Sequence, residues 1–461
     1  MTQQGVRWAA EQVLALAPDA ASQKAGSRLG VAGPWSATGA NEGAVWGACK
    51  GSGSKPYRTV VALHGVDAGS GPGYSCSCPS RKFPCKHALG LLLLWSSSAD
   101  GDPAAVPDTE APPPEWAEEW LAARRQRAER KANTPERTRS ADPAAAERRG
   151  RQRAEQMAAG ATELEQRLTD LLRSGLAGAD RAGYAAWDET AARMVDAKAP
   201  GLAGRVRELG ATAASGAGWP ARLLEECALL HLLNRSYLGI SRLPDPLAAT
   251  VRARVGLTTE AAELLATKGA AVRDRWLVLG RQDSGDGRLT TRRIWLHGEE
   301  SGRSALLLAF GAAGRAPDLT LPTGLALTAE LAYYPGGRPL RAALGEQLTP
   351  PGPGSVPPGR AVGAALTEYG DALRDDPWLE AWPVVLSTVV PVPGPDGWQV
   401  ADADGDAALP VDPRCLGRSG LWRLASISGG RPVTVFGEVG HRGFTPFTAW
   451  SGAAGAEAVP L

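Results

Sequence analysis

The sequence has no long hydrophobic run, which excludes membrane-spanning helices of the usual length. A helix that crosses a bilayer needs about 20 mainly apolar residues, whereas the longest apolar run here is eight residues long, 88–95. Arg7 and Glu11 fall within what would be the apolar core of a signal peptide, so no secretory signal is predicted. We therefore expect a cytoplasmic protein.

A strong net charge is also missing, and cysteine is scarce. The chain has 50 Lys and Arg residues against 49 Asp and Glu residues, a net charge of +1. Such a chain has no overall field that attracts nucleic acid or an anionic membrane, so any basic surface must be local. Six cysteines in 461 residues cannot form the disulfide framework of a small secreted domain. Their spacing therefore bears on metal binding or catalysis instead.

Sequence motifs of common catalytic sites are absent. No serine lies in a G-x-S-x-G motif, and the glycines of 51–55 lack the spacing of a phosphate-binding loop. His231, His297 and His441 lie in separate segments and predict no triad. We therefore expect binding rather than catalysis, although a site built from dispersed residues of the C-terminal region would leave no motif.

Length and composition divide the chain into several parts, as expected at about 100–200 residues per domain. Residues 99–157 are rich in proline and acidic residues and then in arginine, which predicts a linker. Its basic part is either a solvated, partly helical connector or an arm that binds nucleic acid. Trp116 and Trp120 lie near one face of a short helical pattern there, which fits a local cap or a docking motif.

The remaining parts differ in the period of their hydrophobic residues. In residues 1–98, strands are predicted at 58–63 and 74–78 and a helix at 85–95. Residues 158–270 show helical spacing and predict four to six helices, whereas residues 271–461 alternate and predict mainly strands. The fold class predicted is α+β multidomain, with an N-terminal ββα finger, a helical middle domain and a β-rich C-terminal region. The strands predicted in that last region are 276–282, 289–297, 305–310, 325–333, 384–392, 421–427 and 433–439, with one helix at 364–382.

A group of metal-ligand residues stands at the end of the predicted finger. Cys76, Cys78, Cys85 and His87 form the pattern C-x-C-x6-C-x-H. Three thiolates and one imidazole match the closed tetrahedral ligand set of a structural zinc site, with no position left for water or substrate. Cys76 and Cys78 share one side of an extended strand because side chains alternate there. Cys85 and His87 are predicted to meet them from the first turn of the helix.

Two alternatives accompany this zinc site. The cysteines could be reduced and buried without a metal, although four ligands in this context are far more specific than a single C-x-x-C pair. Cys49 and His64 could be spare ligands, but four are already present, so a core cysteine and a loop histidine are expected. Because metal binding of this kind is coupled to folding, Cys85→Ala is expected to unfold the finger.

The motif resembles the SWIM zinc finger. Residues 46–57 and 78–87 together resemble a bacterial SWIM finger family in which the finger lies near the N-terminus, and the resemblance covers about residues 40–98. It implies a zinc-binding protein whose finger binds DNA or another protein. It also implies, as candidate partners, a MoxR-type AAA+ ATPase and a von Willebrand A-domain protein. In the alternative function, the protein is a protein–protein adaptor that works with these two partners without nucleic-acid contact.

The finger is locally basic although the whole chain is nearly neutral. The segment from position 50 to position 86 contains six basic residues and one acidic residue, Asp67. Such a patch fits contact with phosphates, with Phe83 or Tyr74 stacking on a base. The alternatives are that the cations only balance the zinc thiolates, or that the finger docks on a protein. The predicted nucleic-acid contacts are Lys50, Lys55, Arg58, Arg81, Lys82 and Lys86.

Overall fold

The structure of the 461-residue chain is a computed structural model that describes most of its residues. Among the described residues, no helix combines the length and the apolar character that a membrane crossing requires. The residues not described are 1–6, 9, 15, 18–19, 52–54, 64–71, 81–83, 98–104, 110, 134–142, 177–178, 180–182, 268, 286–288, 313–316, 318, 350, 396, 416–418 and 453–456.

In the N-terminal part, the described residues form an antiparallel sheet of four strands in the order β1-β2-β3-β4 and three helices. The predicted strand–strand–helix order is confirmed, and two further strands precede it. Ten residues, 63–72, separate β3 from β4 in the sequence, and α3 follows the metal-ligand segment. The elements are α1 (Ala10–Leu14), α2 (Ala20–Ser27), β1 (Trp35–Ala40), β2 (Ala44–Cys49), β3 (Tyr57–Ala62), β4 (Gly73–Cys76) and α3 (Lys86–Ser97).

Both faces of this sheet are covered. Val45 and Val61 share a buried cluster with the leucines of α3, which is buried at every position from 87 to 95. Trp46 and Val60 belong to a cluster on the other face that is completed by a helix, α4 (Glu115–Asn133). Trp116 and Trp120 of α4 pack against that cluster. The tryptophans thus act as a local cap, and the segment predicted as a linker contains this helix.

The middle of the chain forms a helical bundle with one apolar core. Leu164, Leu168, Leu223 and Leu230 are all 3% exposed or less in this core. The absence of a side chain at Gly201 allows two helices to approach, because a Cβ there would lie 2.0 Å from the carbonyl oxygen of Arg254. The helices are α5 (Pro143–Ser174), α6 (Gly183–Asp196), α7 (Pro200–Ala213), α8 (Trp219–Leu238) and α9 (Asp245–Val255), with α10 (Ala261–Ala266) after them.

The C-terminal region contains two antiparallel sheets in the orders β10-β8-β5-β6-β7, with β9 on β8, and β13-β12-β11-β14-β15-β16. Their facing surfaces share a buried cluster that includes Trp295, Phe436 and Trp450. The strands of the first sheet are β5 (Ala271–Gly285), β6 (Leu289–Gly298), β7 (Ser304–Ala312), β8 (Leu325–Tyr333), β9 (Ala342–Gln347) and β10 (Gly352–Pro353). Those of the second are β11 (Ala381–Gly394), β12 (Gly397–Asp402), β13 (Ala408–Pro410), β14 (Val433–Gly440), β15 (Gly443–Trp450) and β16 (Val459–Pro460).

Six of the seven strands predicted in this region are confirmed, and the seventh is wrong. Residues 421–427 lie in a helix, α12 (Ser419–Ser428), because Leu421, Leu424 and Ser428 are buried at helical spacing. The helix predicted at 364–382 is α11 (Val362–Asp375) and is shorter than expected, since β11 already begins at Ala381.

The three parts of the chain pack against one another. Leu325 of β8 belongs to the same buried cluster as Trp8, Val13 and α3 of the N-terminal part. Trp378, which follows α11, lies in the core of the helical bundle, and its indole N–H donates a hydrogen bond to the carbonyl oxygen of Leu229 at 2.9 Å. The β-rich region therefore contributes side chains to the cores of both other parts.

Candidate metal centre

The four predicted metal ligands come together at one end of the N-terminal sheet. Cys76 is the last residue of β4 and pairs with Thr59 of β3, while Cys78 lies in the bend that follows. Cys85 precedes α3, and its carbonyl oxygen accepts a hydrogen bond from the N–H of Leu89 at 3.0 Å. Cys78 is therefore outside the strand on which it was predicted, but the predicted set of four is confirmed as a cluster.

The spacing of these side chains fits a tetrahedral metal ion. The ligand atoms of Cys76, Cys78, Cys85 and His87 all lie within 4.8 Å of one another, and Cys76 Sγ is 3.7 Å from His87 Nδ1. With metal–sulfur and metal–nitrogen bonds of about 2.3 and 2.1 Å, an ideal tetrahedral site has a sulfur–nitrogen separation of about 3.6 Å. The donor set of three sulfurs and one imidazole is that of structural zinc. These four residues are positioned to bind one metal ion, consistent with zinc.

The electrostatics of the three thiols also favour a cation. A hydrogen bond from Cys85 lowers the pKa of Cys76 to about 3, and the same contact with Cys76 raises the pKa of Cys85. Burial raises the pKa of Cys78. The contact between the two thiols thus favours the thiolate form of Cys76. A bound cation displaces the remaining thiol protons, so metal affinity falls as the pH is lowered.

Residues outside the ligand set support it, and Thr59, Tyr57 and Ser77 were not predicted to do so. The hydroxyl of Thr59 lies 3.2 Å from Cys76 Sγ, where it can donate to the thiolate and orient it. The ring of Tyr57 packs on the ring of His87, with centroids 4.8 Å apart. Ser77 Oγ accepts a hydrogen bond from the N–H of Arg58 at 2.9 Å, which ties the ligand segment to β3. Thr59 lies two residues after Tyr57, so strand alternation would place both on one face.

The structure describes four of the six predicted nucleic-acid contacts. Lys50, Lys55, Arg58 and Lys86 are all exposed. Arg58 pairs with Ala48 near the end of β2, Lys50 directly follows β2, and Lys86 stands between two metal ligands. These cations therefore lie at the end of the sheet that holds the metal centre. Arg81 and Lys82 lie outside the described residues, as do Asp67, Phe83 and His64.

Two further predictions concern residues near the centre. Tyr74 is wrong as a base-stacking residue, because its ring packs against the finger core and its hydroxyl is buried. Cys49 is fully buried, with Sγ 3.8 Å from the carbonyl oxygen of Lys50, and it does not belong to the cluster of four ligands. It is a core cysteine, as expected.

Comparisons with known proteins agree with this geometry. Residues 65–95 match the family model of the SWIM zinc finger, and these residues contain all four ligands. Residues 152–255 match the model of the SWIM-associated four-helix bundle domain, which corresponds to the helical bundle from the middle of α5 to the end of α9. No curated protein and no solved structure gives a significant match. The chain thus contains a SWIM zinc finger followed by a SWIM-associated four-helix bundle domain.

Proposed function

We propose that this protein is a nucleic-acid-binding protein rather than an enzyme, and that its zinc finger makes the contact. The observation that carries the proposal is the group of exposed cations around the metal centre: Lys50, Lys55, Arg58 and Lys86. SWIM domains generally mediate nucleic-acid or protein interactions. The surface of this finger favours the first of these, because exposed Lys and Arg side chains supply the phosphate contacts that dominate affinity for nucleic acid.

The cations exceed what the zinc site needs for neutrality. A zinc ion with three thiolates and one neutral imidazole carries a net charge of about −1. The four exposed cations therefore leave an excess of positive charge at this end of the sheet. Between residues 34 and 97, Glu42 is the one acidic residue that the structure describes. It lies in the turn between β1 and β2, at the opposite end of the strands from Lys50.

The geometry supports backbone contact more than sequence reading. The described basic residues lie on a strand, on strand ends and at the start of α3, and the outward side of α3 is covered because its residues 87–95 are buried. A helix that reads bases must present an exposed face to the major groove. We therefore expect affinity that depends on salt and differs little between sequences.

The test measures fluorescence anisotropy of labelled single- and double-stranded oligonucleotides with the full-length, zinc-loaded protein. Lys50→Ala combined with Lys86→Ala is expected to weaken binding at least tenfold. Its matched control is Arg207→Ala combined with Arg235→Ala, which removes two exposed charges from the bundle and should leave binding unchanged. Cys85→Ala is expected to lose binding together with the metal.

The result decides between the two classes of partner. Equal affinity for the wild type and the Lys50/Lys86 variant, or no binding at low salt by a protein with one zinc per chain, would refute the proposal. The finger would then be a protein-docking module, and the candidate partners are the MoxR-type ATPase and von Willebrand A-domain protein that the family resemblance implies. Those two proteins, purified, would be the ligands of the next binding assay.

A further inference from the structure

A cleft lies between the two sheets of the C-terminal region, away from the metal centre. Its volume is about 430 Å³, and it is lined by Ser304 of β7, Leu279 of β5 and Phe436 of β14, among others. Volumes of about 300–1,000 Å³ are typical of sites for small molecules. Clefts between packed units are also where such sites are often found. The size and position of this cleft therefore fit a small ligand.

Three arginines from three separate segments line the cleft: Arg303, Arg338 and Arg360. Arg303 comes from the turn between β6 and β7, Arg338 from the segment after β8, and Arg360 from the segment before α11. Since these segments are distant in the sequence, the fold itself brings the three arginines to one cleft. Guanidinium groups recognise phosphate and carboxylate oxygens through pairs of N–H donors.

Two of these arginines are held by neighbouring groups. Arg338 Nη1 lies 3.1 Å from a carboxylate oxygen of Asp375, and the Arg338 guanidinium lies 5.5 Å from the ring of Trp382. Arg360 forms an ion pair with Glu368, which also accepts a hydrogen bond from Trp382 Nε1 at 2.9 Å. These contacts fix the positions of both guanidinium groups, and the two carboxylates balance two of the three positive charges.

Arg303 supplies the remaining charge. Its guanidinium lies 3.9 Å from the centroid of the Tyr333 ring, and among the described residues it has no carboxylate partner. The Tyr333 hydroxyl is itself fixed, because it donates a hydrogen bond to the carbonyl oxygen of Ser304 at 3.0 Å. The aromatic ring therefore braces one face of Arg303, while its N–H groups stay available to a ligand. The cleft carries a net charge of about +1, counting three arginines and two acids.

His297 adds a polar group to the same wall. It pairs with Ser304 across β6 and β7, and both residues line the cleft. Burial lowers the pKa of His297 below its usual value, although Asp274 and Glu299 act in the opposite sense. This shift favours the neutral ring, which offers one donor and one acceptor without further charge.

We propose that this cleft binds a small organic phosphate, with Arg303 as its principal anion contact. Three arginines that line one cleft from three segments suit the three terminal oxygens of a phosphate monoester better than the two oxygens of a planar carboxylate. The volume leaves room for a few carbon atoms beside the phosphate. Binding of a phosphate monoester in this cleft does not depend on whether the finger binds nucleic acid.

The experiment is a titration of the full-length protein with glycerol 3-phosphate and with inorganic phosphate, followed by ³¹P line broadening. Uncharged glycerol, followed by saturation-transfer ¹H spectra, is the counterpart without a phosphate. Saturable binding of both phosphates and none of glycerol is expected, at constant ionic strength. Arg303→Ala should weaken binding at least tenfold, and Arg303→Lys, which keeps the charge but loses the fork, should give an intermediate affinity.

Two controls separate this site from other effects. Arg341 lies over the ring of the neighbouring Tyr334, with 4.4 Å to the centroid, but it does not line the cleft, so Arg341→Ala should bind normally. The Lys50/Lys86 variant of the finger should also bind normally, whatever its affinity for oligonucleotides. Absence of saturable binding, unchanged affinity of Arg303→Ala, equal binding of glycerol, or loss of binding in the finger variant would each overturn the proposal.

Discussion

The salt dependence of nucleic-acid binding follows from the number of exposed cations around the metal centre. For double-stranded DNA, the logarithm of the binding constant falls by about 0.9 for each neutralised phosphate per unit of log salt. Four contacts by Lys50, Lys55, Arg58 and Lys86 therefore predict a slope of about −3.6. A rise in salt from about 50 to about 200 mM then weakens binding about 150-fold. Contacts by Arg81 and Lys82 as well would give a slope of about −5.4 and a loss of about 1,800-fold.

The variant with Lys50→Ala and Lys86→Ala tests this count directly. Removing two contacts should make the slope shallower by about 1.8 units, because each lost cation releases one fewer condensed counterion. The assay is anisotropy of a labelled duplex at three or more salt concentrations, with the Arg207/Arg235 variant as the matched control. A wild-type slope shallower than about −1, or a slope that the double change leaves unaltered, would refute the reasoning.

Three further predictions concern the metal, the finger core and the response to acid. Cys85→Ala is expected to lose the metal, because this ligand is 1% exposed and belongs to the group of four; one zinc per chain by atomic emission in the variant would contradict this. Leu92→Ala in α3, fully buried, should lower the free energy of unfolding in urea by about 2–5 kcal/mol. Leu224→Ala in α8, 50% exposed, should change the free energy of unfolding by less than about 0.5 kcal/mol. Comparable losses of stability in the Leu92 and Leu224 variants would contradict this prediction. A hydrogen bond from Arg414 lowers the pKa of Asp412. The contribution of the ionised Asp412 carboxylate to folding stability is therefore present above the unfolded pKa of about 3.9 and is lost as the pH falls through the folded pKa. Asp412→Asn should therefore flatten the acid limb of the stability curve, and an unchanged limb would show that the ion pair is irrelevant there.

The metal ligands were predictable because they are local in the sequence. Cys76, Cys78, Cys85 and His87 lie within twelve consecutive residues, and zinc imposes a known number and type of ligands. Thr59 and Tyr57 were not predicted as supporting residues, because they reach the centre from the neighbouring strand β3. Their role depends on strand register, which the motif does not contain.

Local pattern was less informative where elements are short or made of small residues. The strand β1 (Trp35–Ala40) contains mostly alanine, glycine and serine, so no alternation of large apolar side chains marks it. The residues of α12 form a short apolar run that fits either a strand or a helix, and packing of Leu421 and Leu424 decides for the helix. The arginine cleft gives no local signal, because its residues come from separate segments.

The two faces of the N-terminal sheet are covered by side chains from distant parts of the chain, so the stability of the sheet depends on those parts. Leu325 of β8 completes the cluster around α3, and Ala117 and Leu121 of α4 complete the opposite face. A fragment cut after residue 98 keeps every zinc ligand but exposes apolar surface on both sides of the sheet. The finger therefore cannot be moved into another protein on its own. A graft must include α4 and a substitute for Leu325. Substitutions in β8 are constrained in turn, because Leu325 packs against the finger.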